Sequence, residues 1–127
     1  MLFVCVENAG RSLMAEAFFK KYVPQKRVCS AGTQPAARPN NIVVEVMREV
    51  GIDIAKQRPR MLTNKMIEDS TCIVNMGCMD HESCPALLVD CTSNWGMPDP
   101  RGMDIKEVRK VRDMIECKVK EMITILQ

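Results

Sequence analysis

Aromatic residues are scarce in this sequence: one Trp, one Tyr and three Phe make up 4% of 127 residues. So few flat π-faces leave little on which nucleic-acid bases can stack. No run of like charges is present either. Eighteen Lys plus Arg are interspersed with sixteen Asp plus Glu, for a net charge of +2. Nothing therefore marks a nucleic-acid or membrane surface. No apolar stretch approaches the ~20 residues that cross a bilayer. The first such run, Met1 to Val6, stops at Glu7 and is too short for a signal peptide. The expected location is a reducing cytoplasm, where seven cysteines do not form a static disulfide framework. Seven is odd, so at least one thiol is free under any pairing, and catalytic, redox or metal roles come first.

What is present reads as a single globular domain over residues 1–127. Apolar residues make up 46% of it, and eleven methionines do part of the core filling. Strand and helix patterns alternate. Leu2-Phe3-Val4-Cys5-Val6 is a continuous apolar run, as in a strand buried on both faces. Ser12 to Tyr22 reads as a helix, with Met14, Phe18 and Tyr22 on one face. Arg27 to Ala31 reads as a second strand, ended by Gly32. Asn40 is placed as the N-cap of a helix whose stripe is Ile42, Val43, Val46, Met47 and Val50, stopping at Gly51. Leu62 to Ser70 forms a short helix, Thr71 to Met76 a third strand and Ala86 to Asp90 a fourth. Trp95 to Gly102, with two prolines, must be loop. Asp104 then caps a long last helix with the stripe Val108, Val111, Ile115, Val119, Met122 and Leu126. The alternation predicts a three-layer α/β/α sandwich around a mostly parallel, four-stranded sheet. Ligands of such sheets bind beyond the carboxyl ends of strands, where Cys5 falls.

The segment Cys5-Val6-Glu7-Asn8-Ala9-Gly10-Arg11-Ser12 leaves that strand and enters a helix through small residues. Successive backbone N–H groups converge in such a turn, and the helix N-terminus adds positive field, so an oxyanion is the natural guest. Glu7, Asn8, Ala9, Gly10, Arg11 and Ser12 are the candidate binding positions. The Arg11 guanidinium can fork onto two oxygens of the anion. The same donors favour a thiolate at Cys5, and the Ser12 hydroxyl can add a further hydrogen bond to the sulfur. A thiolate nucleophile needs no external base. The competing reading makes Cys5 a buried strand residue and Arg11 a surface residue at a helix start.

The stretch Val4-Cys5-x-x-Asn8-x-x-Arg11-Ser12-x-Met14-Ala15-Glu16 resembles the signature of low-molecular-weight protein tyrosine phosphatases and their thioredoxin-coupled arsenate reductase relatives. Ser30-Ala31-Gly32 and Trp95-Gly96-x-x-Asp99-Pro100 match as well, so the resemblance covers nearly the whole chain. It implies that Cys5 is the nucleophile, Arg11 the anion clamp and Asp99 the general acid on the departing oxygen. Two positions depart from the family pattern. Gly10 stands where a second cysteine is usual, which rules out a disulfide inside the loop. Val6-Glu7 stands where an uncharged pair is usual, and a carboxylate beside an anion site is expected to point outward.

The resemblance also separates two activities. The phosphatases place tyrosines after Asp99-Pro100 to hold a substrate ring. This chain has Arg101-Gly102, leaving only Trp95 as a candidate ring support. Cys78-Met79-Asp80-His81-Glu82-Ser83-Cys84-Pro85 resembles the redox segment of the reductases, with one residue fewer between the cysteines. In an ungapped alignment on Cys84-Pro85, the resolving position falls on Gly77, one place before Cys78. The resemblance implies Cys78 as the resolving thiol and Cys84 as the final one, with Cys91 as a spare. The expected activity is thus reduction of arsenate to arsenite, with phosphatase action on phosphotyrosine or a small phosphate ester as the alternative. The expected partners are arsenate or phosphate and thioredoxin or a similar dithiol protein. No bound cofactor is expected, the reductant being an external thiol. Zinc on Cys72, Cys78, His81, Cys84 and Cys91 is the competing use of these residues, but no C-x2-C pair supports it and no metal is expected. Cys29, Cys72 and Cys117 are read as buried hydrophobes.

Overall fold

The computed structural model describes residues 1–77 and 92–126. Strand β1 (Leu2–Cys5) lies inside the sheet and is wholly buried, which is why its sequence is apolar without alternation. It pairs in parallel with β2 (Cys29–Gly32) on one side and with β3 (Ile73–Asn75) on the other. β3 pairs in parallel with β4 (Thr92–Asn94), giving the order β2-β1-β3-β4. The strand expected at Ala86 to Asp90 lies outside the described residues, and the described edge strand comes just after it in the chain. β2 starts two residues later than its apolar pattern implied and runs into Gly32. β3 is shorter than its pattern, because pairing to the short β1 sets its length.

Side chains alternate across β1. Phe3 and Cys5 join Val74 in the larger core, under α1 (Arg11–Tyr22), α2 (Asn41–Glu49) and α4 (Ile105–Leu126). Leu2 and Val4 join Ala31 and Ile73 on the opposite face, where Leu62, Met66 and Ile67 pack from around α3 (Asn64–Glu68). Burial of each such side chain contributes roughly 1.5–3 kcal/mol relative to exposure. α1 is buried on most of its circumference, not on a single stripe, because it sits between the sheet and α4. Its Glu16 is consequently buried, with Ser30 Oγ donating to Oε2 at 3.0 Å and Lys20 Nζ at 3.7 Å from Oε1.

The helix boundaries follow their caps. Asn40 Oδ1 accepts from the amides of Ile42 (2.9 Å) and Val43 (3.3 Å), and Asp104 Oδ1 accepts from that of Glu107 at 2.9 Å. α3 is shorter than the pattern over Leu62 to Ser70 implied, since the Thr63 hydroxyl caps it at the Met66 amide (3.1 Å) and the Ser70 hydroxyl bonds back to Met66 O. Cys117 is exposed and Cys29 and Cys72 half-buried, contrary to the expectation of three buried thiols. Cys117 lies off the Ile115/Val119 stripe, which explains the difference. Among the described residues no helix is long and apolar enough to cross a membrane.

Gly32 ends β2 directly beneath the loop that follows β1. A Cβ there would lie 2.5 Å from Val6 O and 2.8 Å from Asn8 N. Gly32→Ala should therefore displace loop backbone and lower unfolding stability by about 1–3 kcal/mol. Urea denaturation measures this, and a loss below about 0.5 kcal/mol would mean that the loop is not wedged there.

Candidate active site

The loop from β1 to α1 is shaped by where its carbonyls go. Cys5 O, Val6 O, Glu7 O and Ala9 O accept from the amides of Thr33 (3.2 Å), Gln34 (2.8 Å), Ala36 (2.9 Å) and Asn40 (2.9 Å). In a trans peptide the next N–H points opposite to the carbonyl. Four outward carbonyls therefore turn the amides of Val6, Glu7, Asn8 and Gly10 inward. Asn8, with φ of +50°, makes the tightest bend and its amide donates to Cys5 Sγ at 3.2 Å. An Asn tolerates this left-handed conformation better than most residues.

The Asn8 side chain holds the rest of the loop. Its Oδ1 accepts from the Arg60 amide at 2.9 Å and its Nδ2 donates to Ser12 Oγ at 2.7 Å. Since Ser12 Oγ accepts from Asn8, its own proton is free for Cys5 Sγ, 2.9 Å away. The Cys5 thiol is thus buried, not disulfide-bonded, and met by two donors.

Arg11 begins α1 and is 6% exposed, so it is not the surface residue of the competing reading. Its Nη1 donates to Met97 O at 3.1 Å and lies 3.5 Å from Met76 O, while Nη2 is 3.8 Å from Asp99 Oδ2. Gly77, at φ +150°, passes so close that any Cβ there would collide with Arg11 Nη1. The position therefore has no space for a cysteine side chain, and the first thiol after it in sequence is Cys78.

Cys5, Glu7, Ala9, Gly10, Arg11, Asn40, Asp99, Pro100 and Arg101 line a small pocket of about 20 Å³. Its rim is crossed by a bridge that the sequence pattern did not show. Arg101 Nε and Nη2 each approach Asp99 Oδ2 at 2.7 Å, the Arg101 amide donates to Asp99 Oδ1 at 3.0 Å, and Arg101 Nη1 donates to Glu7 Oε1 at 2.7 Å. Glu7 is therefore not simply turned outward; its charge is met across the mouth. Burial works to raise the Asp99 carboxyl, but the hydrogen bonds from the Arg101 side chain and amide, together with the Arg11 and Arg101 charges, outweigh it. They hold Asp99 below the ordinary carboxylate range. Gly10 leaves room for this closure, since a Cβ there would lie 2.9 Å from Pro100 Cγ.

Among the candidate residues, Cys5, Glu7, Asn8, Ala9, Gly10, Arg11, Ser12 and Asp99 converge here. Cys78, Cys84, His81 and Cys91 lie outside the described residues. Trp95 is half-buried and packs its ring against the core residue Phe3, at 5.8 Å between centroids, and is not among the residues that line the pocket. Among the described residues no group of three or more His, Cys, Asp and Glu could hold a metal ion. Arg101, Asn40, Pro100 and Gly77 were not identified as site residues from sequence. A charge complementary to Glu7, next to Asp99-Pro100, was the one available signal, and only for Arg101.

The chain belongs to the low molecular weight phosphotyrosine protein phosphatase family, whose model matches residues 1–127. Within it, the chain is 36% identical over 120 residues to arsenate reductase 1 of Staphylococcus epidermidis, covering 92% of this chain and 89% of that protein. A solved arsenate reductase in a phosphate-binding state superposes with a TM-score of 0.87 at 29% identity, over 99% of this chain and 97% of that one. The thioredoxin-dependent arsenate reductase Cg_ArsC1′ of Corynebacterium glutamicum superposes with a TM-score of 0.80 at 31% identity, over 97% of this chain and 59% of that one.

Two outcomes test the geometry. Ser12→Ala removes one of the two donors on Cys5 Sγ and should slow alkylation of Cys5 by iodoacetamide near neutral pH by about tenfold; an unchanged rate would mean the hydroxyl does not act on the sulfur. Arg101→Ala should move the NMR titration of the Asp99 carboxyl upward. With the folded value below the unfolded one, the stabilisation from this ion pair is complete above the ordinary carboxylate value and fades as pH falls through the folded value. An Asp99 titration that stays put in the variant would remove Arg101 as the cause.

Proposed function

We propose that this chain is an arsenate reductase whose Cys5 attacks arsenate bound by the loop amides and Arg11. The observation that carries the proposal is the Cys5 thiol itself, met by the Asn8 amide and Ser12 hydroxyl at the floor of a pocket that Arg11 and Asp99 also line. The named reductases among its relatives support arsenate as substrate.

The Cys5 thiolate bonds to arsenic and one oxygen departs as water, protonated by Asp99. Before the anion binds, Asp99 is a carboxylate, so the proton it passes to the departing oxygen is one it takes up from solvent or from the arriving hydrogen arsenate. The incoming anion draws on Arg11 and adds negative charge nearby, both of which favour a proton on Asp99. The Cys78 thiolate then attacks Cys5 Sγ. The S–As bond breaks, its electron pair leaves with arsenic as arsenite, and a Cys5–Cys78 disulfide remains. Cys84 attacks Cys78, which restores the Cys5 thiolate and leaves a Cys78–Cys84 disulfide. An external dithiol protein of the thioredoxin class reduces that disulfide, a reading supported by the thioredoxin-dependent relative. No bound cofactor enters the cycle, and the cytoplasm is the compartment that keeps such thiols reduced. The parallel sheet with helices packed on both faces supports the full architecture as a three-layer, four-stranded α/β/α sandwich.

Arsenate-dependent oxidation of a thioredoxin system tests this. Turnover is expected in the wild type, with loss of at least about 100-fold in Cys5→Ser, Cys78→Ser and Cys84→Ser. Aryl phosphate hydrolysis, if present, should survive the Cys78 and Cys84 substitutions. Hydrolysis equal in all three Cys5-containing proteins, with no arsenate reduction, would assign the chain to phosphatase chemistry instead.

A further inference from the structure

The bridge across the pocket mouth has a geometry that a mere surface ion pair does not need. One guanidinium engages two carboxylates on opposite walls: Asp99, in the segment after β4, and Glu7, in the loop after β1. Arg101 and the Glu7 that anchors it are 94 positions apart in the chain. All three line the pocket in which Cys5 also takes part. The fork of an arginine can satisfy both at once, whereas a lysine ammonium offers no planar span.

Cys5 lies at the floor of the pocket, so an anion attacked in line presents its departing oxygen to the mouth. In an inorganic tetrahedral oxyanion that oxygen carries at most a proton. It can sit beneath the bridge and accept from Arg101. In an ester the same oxygen carries the organic group, which has to leave through the gap that Glu7, Arg101 and Asp99 close. An ester therefore binds only after at least one of these ion pairs is opened. From this we infer that Arg101, anchored by Glu7, is a specificity-determining residue that selects inorganic tetrahedral oxyanions over their organic esters. The inference rests on the Cys5 loop being the oxyanion site and deepens that reading by naming the substrate class. It also accounts for Glu7. A carboxylate beside an anion site is a cost to binding, and here it is the anchor that holds the arginine across the opening.

The test compares two readouts in one set of proteins. One is kcat/KM for p-nitrophenyl phosphate hydrolysis. The other is the affinity for inorganic arsenate and phosphate, measured as protection of Cys5 from iodoacetamide. The double variant Glu7→Gln/Arg101→Ala opens the bridge without leaving a charged Glu7 unpaired beside the anion, while Asp99 keeps Arg11 at 3.8 Å. Its ratio of ester turnover to inorganic-anion affinity should rise by about tenfold or more, chiefly through a lower ester KM. Arg101→Lys keeps the charge but not the span, and its ratio should rise in the same direction. Both side chains are at the surface, with 33% and 56% of their area exposed, so folding should be retained, as thermal unfolding would verify. A ratio within twofold of wild type in both variants, or a fall in it, would overturn the inference. Should wild-type ester hydrolysis be undetectable, its appearance in the double variant supports the inference and its continued absence refutes it. Neither readout involves Cys78, Cys84 or a reductant. A wild type that fails to reduce arsenate would overturn the reductase reading and leave this result standing.

Discussion

Four peptide carbonyls turned away from Cys5 hold the site together. Each is tied to an amide of the 33–40 segment, and in a trans peptide the following N–H then faces the opposite way, toward Cys5. No side chain is needed to aim those donors, which is why the loop functions with residues as plain as Ala9 and Gly10. The sheet makes this arrangement possible. β2 runs parallel to β1 in register up to Cys5 and Gly32, so the chain leaving β2 emerges beside the loop leaving β1. A polar network over a buried thiol is costly when half-satisfied. Here Asn8 bonds through both ends of its amide and Ser12 both accepts and donates, so the cup is held open with its donors committed.

The electrostatics form a second level on this frame. Arg11 is buried and fixed by backbone oxygens at one side of the pocket, and Arg101 is exposed and fixed by carboxylates at the other. The two arginines differ in freedom. Moving Arg11 would break contacts in a buried region, whereas exposed ion pairs such as those of Arg101 contribute only about 0–1 kcal/mol each. The inner clamp is therefore rigid and the outer one can open. Asp99 lies between them, and their charges with the Arg101 hydrogen bonds hold its carboxyl below the ordinary carboxylate range against the opposing effect of burial.

Much of this was legible in the residues. The unbroken apolar run of β1 announced a strand buried on both faces, and Asn40, Gly51 and Asp104 marked helix ends by short-range chemistry that needs no tertiary context. Cys5 to Ser12 was legible for the same reason, since the loop is one contiguous stretch. What escaped was set by contacts distant in sequence. α1 was read as one-sided because its surroundings, with a sheet on one flank and α4 on the other, are not in its own periodicity. The lengths of β2 and β3 are fixed by their neighbour, not by their own composition. Glu7 looked like a defect because its partner lies 94 residues away. Trp95 looked available for stacking, and only its contact with Phe3 reveals that it packs against the core.

The near contact between Gly10 and Pro100 couples two positions far apart in the sequence. A Cβ at position 10 would lie 2.9 Å from Pro100 Cγ, so a side chain there requires the proline ring to shift. A substitution at position 10 is therefore felt first in the segment that carries Pro100 and, beside it, Asp99. A smaller residue at position 100 should relieve it, so the two positions are expected to tolerate change together better than either does alone.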